Sequence, residues 1–174
     1  SRLEDALALA ARGDLSHAME AERALADRCG DPFIRVHARV AEADALAAFG
    51  SVEKVIALYE TALIECQILP APRLIPRVLH HMGECCTRAG FPARADDLLD
   101  QAVQAYRALS DRRGEASALM GVGNAAFLRG DPEPAVACYE QAAELQRHAG
   151  LSRSLVLTLA NLGEAELARN ETAG

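Results

Sequence analysis

The sequence predicts an all-α protein, built as a right-handed solenoid of antiparallel helix pairs with about nine helices. Apolar residues make up 51% of the 174 residues but aromatic residues only 4%, which is typical of closely packed helices. The alternation of Val, Ile, Thr and aromatic residues that marks strands is essentially missing. In addition, several markers recur with one period along most of the chain, which indicates a repeat architecture.

The period is about 40 residues. Breaks centred on glycine, with Asn170 in the last place, are spaced 37, 40, 40 and 40 residues apart and fall at Gly13, Gly50, Gly90, Gly130 and Asn170. Small residues inside helices recur in step at Ala43, Gly83, Gly123 and Gly163. Three further markers follow the breaks. A small or β-branched residue recurs at Ala18, Val55, Ala95 and Ala135, and a bulky residue follows it at Tyr59, Leu99 and Tyr139. An alanine comes three residues after each bulky residue, at Ala62, Ala102 and Ala142. We therefore expect units over 1–30, 31–70, 71–110, 111–150 and 151–174.

Apolar residues spaced by three and four place helices between these breaks. The predicted helices cover 2–12, 16–29, 32–49, 52–68, 73–89, 92–109, 112–129, 132–149 and 152–169. Asp131 is the predicted N-cap of the eighth, with Pro132 at its first helical position, and Pro70–Pro72 marks the clearest break between units. The outermost helices lack partners, so we expect a single repeat domain over 1–174 that is truncated at both ends and excised from a larger protein.

The charge and the cysteine content limit which kinds of partner and which cellular compartment we expect. The net charge is −7 and Lys54 is the only lysine, so no basic patch suited to direct nucleic-acid binding is expected. No run of 18 apolar residues predicts a membrane span, and no signal peptide is visible. Five cysteines without framework spacing favour reduced thiols and a cytoplasmic location.

Motifs for catalysis are absent, so neither an enzyme nor a cofactor is expected. The chain has no G-x-S-x-G, no phosphate-binding glycine loop and no H-E-x-x-H. The most suggestive cluster is His80, His81, Glu84 and Cys85, in which two pairs are each four residues apart on one helix. A zinc site needs three or four converging ligands, and the pairs point differently. A metal- or thiol-dependent activity is therefore the less favoured alternative, and the role of the cluster stays open.

The framework residues resemble the tetratricopeptide repeat family. Its pattern of large, apolar and small residues in the first helix, then small, large and small in the second, is matched by Leu119, Val122, Gly123, Ala135, Tyr139 and Ala142. It is matched again by Leu79, Met82, Gly83, Ala95, Leu99 and Ala102, and in part by Leu159, Leu162 and Gly163. The period of 40 exceeds the usual one of about 34. The closing proline is absent, and the expected large aromatic is Leu or, in the earliest complete unit, Arg39.

This long form resembles the repeats of large bacterial transcription regulators of the LuxR-type and antibiotic-regulatory groups. The resemblance implies a signalling module that binds a protein, a peptide or a small effector on the concave face of its first helices. The implied groove residues are His37, Val40, Asp44, Arg77, His80, Glu84, Arg88, Ser117, Met120, Asn124, Phe127 and Leu128. They combine an apolar patch with a charged one that bears histidine. The alternative is a self-association module that forms a homodimer through its terminal helices, at Leu155 and Leu159.

Overall fold

The computed structural model describes residues 24, 32–47, 52–68 and 73–172, and this part of the chain contains seven α-helices and no strand. The helices are α1 (Pro32–Leu46), α2 (Val52–Ile68), α3 (Ile75–Arg88), α4 (Pro92–Ala108), α5 (Arg112–Arg129), α6 (Pro132–His148) and α7 (Ser152–Thr172). The predicted all-α class is thus confirmed for the described residues. The first two of the nine predicted helices, 2–12 and 16–29, fall outside them except at residue 24.

The chain divides into two compact units, Ser1–Leu74 and Ile75–Gly174, and the boundary follows the predicted break at Pro70–Pro72. In the first unit α1 packs on α2. The Tyr59 hydroxyl of α2 donates a hydrogen bond to the Asp44 carboxylate of α1. A bidentate ion pair also joins these helices. The extent of the repeat domain and its truncation stay predictions.

In the second unit each helix from α3 to α7 packs on the next, and α3 also contacts α5. This stacking is consistent with the predicted α-solenoid, whose right-handed sense stays a prediction. The recurring glycines make room for the bulky residues of the second helices. A β-carbon added at Gly83 would lie 2.7 Å from Cγ of Leu99, and one at Gly123 would lie 2.6 Å from Cε1 of Tyr139. Leu99 and Tyr139 are almost completely buried. The recurring glycine and the recurring bulky residue of the period therefore contact each other in these two helix pairs.

The turn at Gly130 links α5 to α6. Gly130 has a φ of 85°, which disfavours any residue with a β-carbon, and its N–H donates to the carbonyl of Phe127. Pro132 begins α6 as predicted. The N-cap prediction for Asp131 is only half right, because this residue precedes the helix but its side chain makes no capping hydrogen bond. Its carboxylate instead accepts from Nε of Arg129 at 2.6 Å.

The predicted break at Asn170 does not occur, since α7 continues to Thr172. Asparagine carries a β-carbon and therefore adopts the left-handed turn conformation less readily than glycine does. The turn that precedes α7 lies at Gly150, which has a φ of 66°. None of the described helices is long and apolar enough to cross a membrane.

Candidate functional site

The first helices of the second unit, α3, α5 and α7, carry a pocket of about 280 Å³. Residues of all three helices line it, together with one tyrosine of α6. The lining residues are Glu84, Thr87, Arg88, Gly121, Asn124, Phe127, Leu128, Tyr139, Asn161 and Glu164.

A short hydrogen-bond network orients the amides in this pocket. The Tyr139 hydroxyl donates to Oδ1 of Asn124 at 2.8 Å, and Nδ2 of Asn161 donates to the same oxygen at 3.2 Å. Burial raises the pKa of Tyr139 to about 12, with further contributions from Cys138 and Glu164, so the phenol stays protonated and can donate. Because Oδ1 of Asn124 accepts both bonds, its Nδ2 group is the donor that this amide can offer to a ligand.

Charges of both signs line the pocket, as two carboxylates, Glu84 and Glu164, and one guanidinium, Arg88. Burial opposes the ionisation of Glu84. The polar interaction with His80 and the electrostatic effect of His80, His81 and Arg88 outweigh it and lower the pKa of that carboxyl. Nε2 of His80 lies 3.6 Å from Oε1 of Glu84, which is longer than a usual hydrogen bond. Glu84 therefore presents a negative charge to the pocket near neutral pH.

The apolar part of the pocket is Phe127 and Leu128, near the end of α5. Phe127 is half-buried and packs against a cluster that includes Tyr139 and Ala165. Leu128 is 69% exposed, although it is a large apolar side chain. An exposed leucine beside a half-buried phenylalanine provides a place for an apolar group of a ligand.

Five of the predicted groove residues meet in this pocket, namely Glu84, Arg88, Asn124, Phe127 and Leu128. Of the others in the second unit, His80 is buried and Arg77 is half-buried. Met120 takes part in packing, because its Sδ accepts from Oγ1 of Thr158 at 2.9 Å. Ser117 lines a separate cavity of about 350 Å³.

Three predicted groove residues belong to the first unit. Val40 is 2% exposed, and Asp44 accepts the hydrogen bond from Tyr59. The ring of His37 lies 4.9 Å from that of Phe33, measured between centroids. A binding role for the predicted groove residues, inside or outside the pocket, stays a prediction.

Three of the lining residues that the sequence reasoning missed are Tyr139, Asn161 and Glu164. Glu164 lies one period after Asn124, so the 40-residue register could have found it. Asn161 lies one period after Gly121, which is not a predicted groove residue, so the register does not signal it. Tyr139 has the pattern of a core residue, and its ring is indeed 1% exposed. Only the hydrogen bond of its hydroxyl brings it to the pocket, and no spacing in the sequence signals that bond.

The cysteines offer no activated thiol in the described part of the chain. Cys66, Cys85, Cys86 and Cys138 carry thiols that are not part of a disulfide. Burial raises the pKa of Cys66, Cys85 and Cys138, which reduces the thiolate fraction and the reactivity of these groups. Among the described residues no three His, Cys, Asp or Glu side chains converge to hold a metal ion. Within the cluster of His80, His81, Glu84 and Cys85, the ring of His80 lies 5.5 Å from that of His81, measured between centroids, and Nε2 of His80 lies near Glu84.

Comparison with known proteins supports the family predicted from the framework residues. The family described as tetratricopeptide repeat matches residues 74–148, which span α3 to α6. No curated protein matches the sequence. Solved structures with the same fold match nearly the whole chain, and at their sequence identities they show the fold alone.

One similar structure is the Signal Transduction ATPase with Numerous Domains (STAND) protein with a tetratricopeptide repeat sensor from Pyrococcus horikoshii. It is 13% identical with a TM-score of 0.79, and the match covers 94% of this chain but only 26% of that one. BtubC from P. vanneervenii is 17% identical with a TM-score of 0.72, covering 97% and 80%. A Podosopora anserina protein with nearly identical TPR-like repeats, assigned as a kinesin light chain, is 19% identical with a TM-score of 0.75, covering 98% and 86%.

Proposed function

We propose that this chain, in which residues 74–148 form tetratricopeptide repeats, is a scaffold that binds a peptide segment of a partner protein in the α3–α5–α7 pocket. The observation that carries the proposal is the combination in one pocket of an apolar site, two oriented amides and charges of both signs. Tetratricopeptide repeats are typically binding scaffolds, so the chain acts by recognition and not by catalysis.

Each part of the pocket has a role in binding such a segment. Phe127 and Leu128 take an apolar side chain, because removing apolar surface from water supplies most of the binding free energy at such contacts. Asn124 and Asn161 contact the peptide backbone, whose amides need partners when they leave water. Glu84 and Glu164 favour a basic side chain, while Arg88 takes an acidic one, and this pairing sets the register.

A regulatory role follows from the same reading. The similar STAND protein carries a tetratricopeptide repeat sensor, and the long period resembles that of bacterial transcription regulators. We infer that the chain is the regulatory, effector-sensing part of a larger bacterial transcription regulator. A ligand with different affinities for two states of the parent protein shifts the balance between them. The thiols that are not part of a disulfide support a cytoplasmic location.

A peptide library selected against the full chain tests the proposal. Binding of a selected peptide should weaken about tenfold in Leu128→Ser and in Glu164→Gln, because both remove contacts in the pocket. Both side chains are exposed, so neither change should alter the melting temperature. The matched control is Gln141→Ala on the outer side of α6, which is also exposed and lies outside the pocket. Equal losses in all three variants, or in none, would contradict the proposal.

A second candidate function is self-association through Leu155 and Leu159. Leu159 is 42% exposed although it is apolar, and Leu155 is half-buried. Light scattering on the concentrated chain should then give the mass of a dimer, and Leu159→Glu should return the mass of a monomer because it places a charge in the contact. A monomer at high concentration rules this candidate out.

A further inference from the structure

The separate cavity of about 350 Å³ lies at the start of α7, in the second unit. It is lined by Arg113 and Ser117 of α5, by Gln146 of α6 and by residues 151–154, and none of these described residues is acidic. It shares no lining residue with the α3–α5–α7 pocket. We call it the Gln146 cavity.

In the preceding helix pair a tyrosine ring fills the equivalent space. Tyr106 stands one period before Gln146, and Gly114 stands one period before Ser154. The ring of Tyr106 lies so close to Gly114 that an added β-carbon would overlap it. Glutamine is smaller than tyrosine, and Gln146 and Ser154 both line an open cavity instead of closing on each other.

Gln146 carries a buried acceptor that has no hydrogen-bond partner among the described residues. The residue is 1% exposed, and the unpaired atom is its Oε1. Its Nε2 donates to Sδ of Met120 at 3.3 Å, and since a thioether can only accept, this bond fixes which end of the carboxamide is which. Met120 does not line the cavity, so Oε1 is the end on the cavity side. A buried acceptor left unpaired is costly, so we expect a ligand to supply an N–H or O–H group.

The start of α7 also lacks the acidic cap that α5 has. Asp111 accepts a hydrogen bond from the N–H of Gly114 at 2.9 Å. One period later stands Leu151, whose side chain has no acceptor. Within the described part of the chain, nothing accepts from the N–H groups of Arg153 and Ser154. Such free donors at the positive end of a helix attract an anion, which would take the place that the Asp111 carboxylate has at α5.

We propose that the Gln146 cavity binds a phosphorylated serine or threonine of a peptide. The phosphoryl oxygens accept from the free N–H groups at the start of α7 and from the guanidiniums of Arg113 and Arg153, both of which are exposed. Two guanidiniums match a phosphoryl group, which carries a charge of about −2 near neutral pH, better than a carboxylate, which carries one charge.

The unpaired acceptor explains why the ligand is a phosphorylated residue and not phosphate alone. A phosphate ester that has lost both protons has no hydrogen to donate to Oε1 of Gln146. The backbone N–H of the phosphorylated residue lies close to its own phosphoryl group and can make this bond. The site is independent of the proposed peptide binding in the α3–α5–α7 pocket, because the two share no residue.

The test uses the full chain and two probes, a capped Gly-phosphoserine-Gly peptide and methyl phosphate, which has no N–H group. In an NMR titration both should shift the amide signals of Arg153 and Ser154, and the peptide should bind about tenfold more tightly because only it can pair with Gln146. In Gln146→Met the peptide should bind no better than methyl phosphate. This variant should melt no lower than the original chain, because an apolar group of similar length replaces an unpaired acceptor.

The matched controls are arginine variants. Arg113→Ala and Arg153→Ala should each weaken the binding of both probes at least about tenfold without changing the melting temperature, since both side chains are exposed. Arg112→Ala, which is exposed, lies outside the cavity and removes the same charge, should bind both probes normally. Equal losses in all three variants would indicate a general effect of charge and overturn the proposal.

The probes themselves give the other contradicting outcomes. Equal affinity for the peptide and methyl phosphate, or a preference for the peptide that survives Gln146→Met, would mean an adventitious ion only. Equal binding of the peptide without its phosphoryl group, or no binding of the phosphorylated one, also overturns the proposal. Shifts confined to the lining of the α3–α5–α7 pocket would support the function proposed above and overturn this one.

Discussion

Tyr139 connects the packing of α6 with the chemistry of the pocket. Its ring lies against the backbone at Gly123, and its hydroxyl holds Asn124 at 2.8 Å. One side chain thus fixes the distance between two helices and the orientation of an amide that can face a ligand. A substitution at Tyr139 consequently affects stability and binding together, and the two effects have to be separated by experiment.

The ionisation of buried tyrosines gives a prediction about alkaline pH. Burial raises the pKa of Tyr106 and of Tyr139 to about 12, so the fold favours the neutral phenol. This contribution to the free energy of unfolding is complete below the unfolded value of about 10 and is lost as the pH rises through about 12. Ultraviolet absorbance of tyrosinate should show both groups ionising late, and Tyr139→Phe should remove one late step. Ionisation of both near pH 10 in the folded chain would contradict this.

Two glycines of the same series should respond in opposite ways to alanine. Gly123→Ala places a methyl group 2.6 Å from a ring that is 1% exposed, so it should destabilise the chain by about 1–3 kcal/mol. Gly163→Ala meets no described residue and should stabilise α7 by about 0.5–1 kcal/mol through lower backbone entropy. Urea denaturation measures both values, and the same sign for both would show that packing does not distinguish the two positions.

At the scale of helices, the starts of α5 and α6 differ in how they are capped. Asp111 accepts a hydrogen bond from the N–H of Gly114 at 2.9 Å, which satisfies one of the free donors in the first turn of α5. Before α6, Asp131 makes no such bond and pairs with the exposed Arg129. Pro92 and Pro132 begin the second helices α4 and α6, and their missing N–H groups leave fewer donors to satisfy.

This difference predicts unequal effects of two matched changes. Asp111→Ala should lower the free energy of unfolding by about 0.5–2 kcal/mol because it removes a cap. Asp131→Ala removes only an exposed ion pair and should cost about 0–1 kcal/mol. The comparison can be made by chemical denaturation of the two variants at low and high salt. A larger loss for Asp131→Ala would mean that its ion pair with Arg129, and not capping, controls this turn.

The sequence predicts the helices well because their ends are encoded locally. Gly90, Gly130 and Pro132 determine where helices end and begin, whatever residues surround them. As a result, α2 and α5 have the bounds predicted from the sequence. The pocket was harder to predict, because it depends on side chains that meet across helices. His80 is buried, and Nε2 of its ring lies 3.5 Å from where a β-carbon of Gly121 would be. Nothing in the spacing on one helix reveals a neighbour on the next.

At the scale of the second unit, stability depends on contacts between neighbouring helices. The packing of α7 is mainly on α6, and α6 in turn packs on α5. In such an array the stability of an end depends on its neighbour, because distant repeats do not touch it. The fold therefore has no single core whose loss affects every helix equally.

Hydrogen exchange should reveal this dependence. Ala142→Leu should overpack α6, since Ala142 is fully buried, and amides of α6 and α7 should lose more protection than those of α3 and α4. The matched control is Gln141→Leu, at an exposed neighbouring position, which should leave the exchange pattern unchanged. Uniform loss of protection from α3 to α7 would instead show that the unit unfolds as a whole.

The bulky residue of each second helix also determines whether a polar residue of the first helix receives a hydrogen bond from it. Tyr59 bonds Asp44 and Tyr139 bonds Asn124, whereas Leu99, at the same place in the pair between them, has no hydroxyl to offer Glu84. Glu84 instead lies beside His80. Exchange of leucine and tyrosine at this buried position would therefore change the selectivity of the surface, although the exchanged side chain itself would not contact a ligand. Such arrays can acquire new specificities in evolution, or in the laboratory, through mutations on the side away from what they recognise.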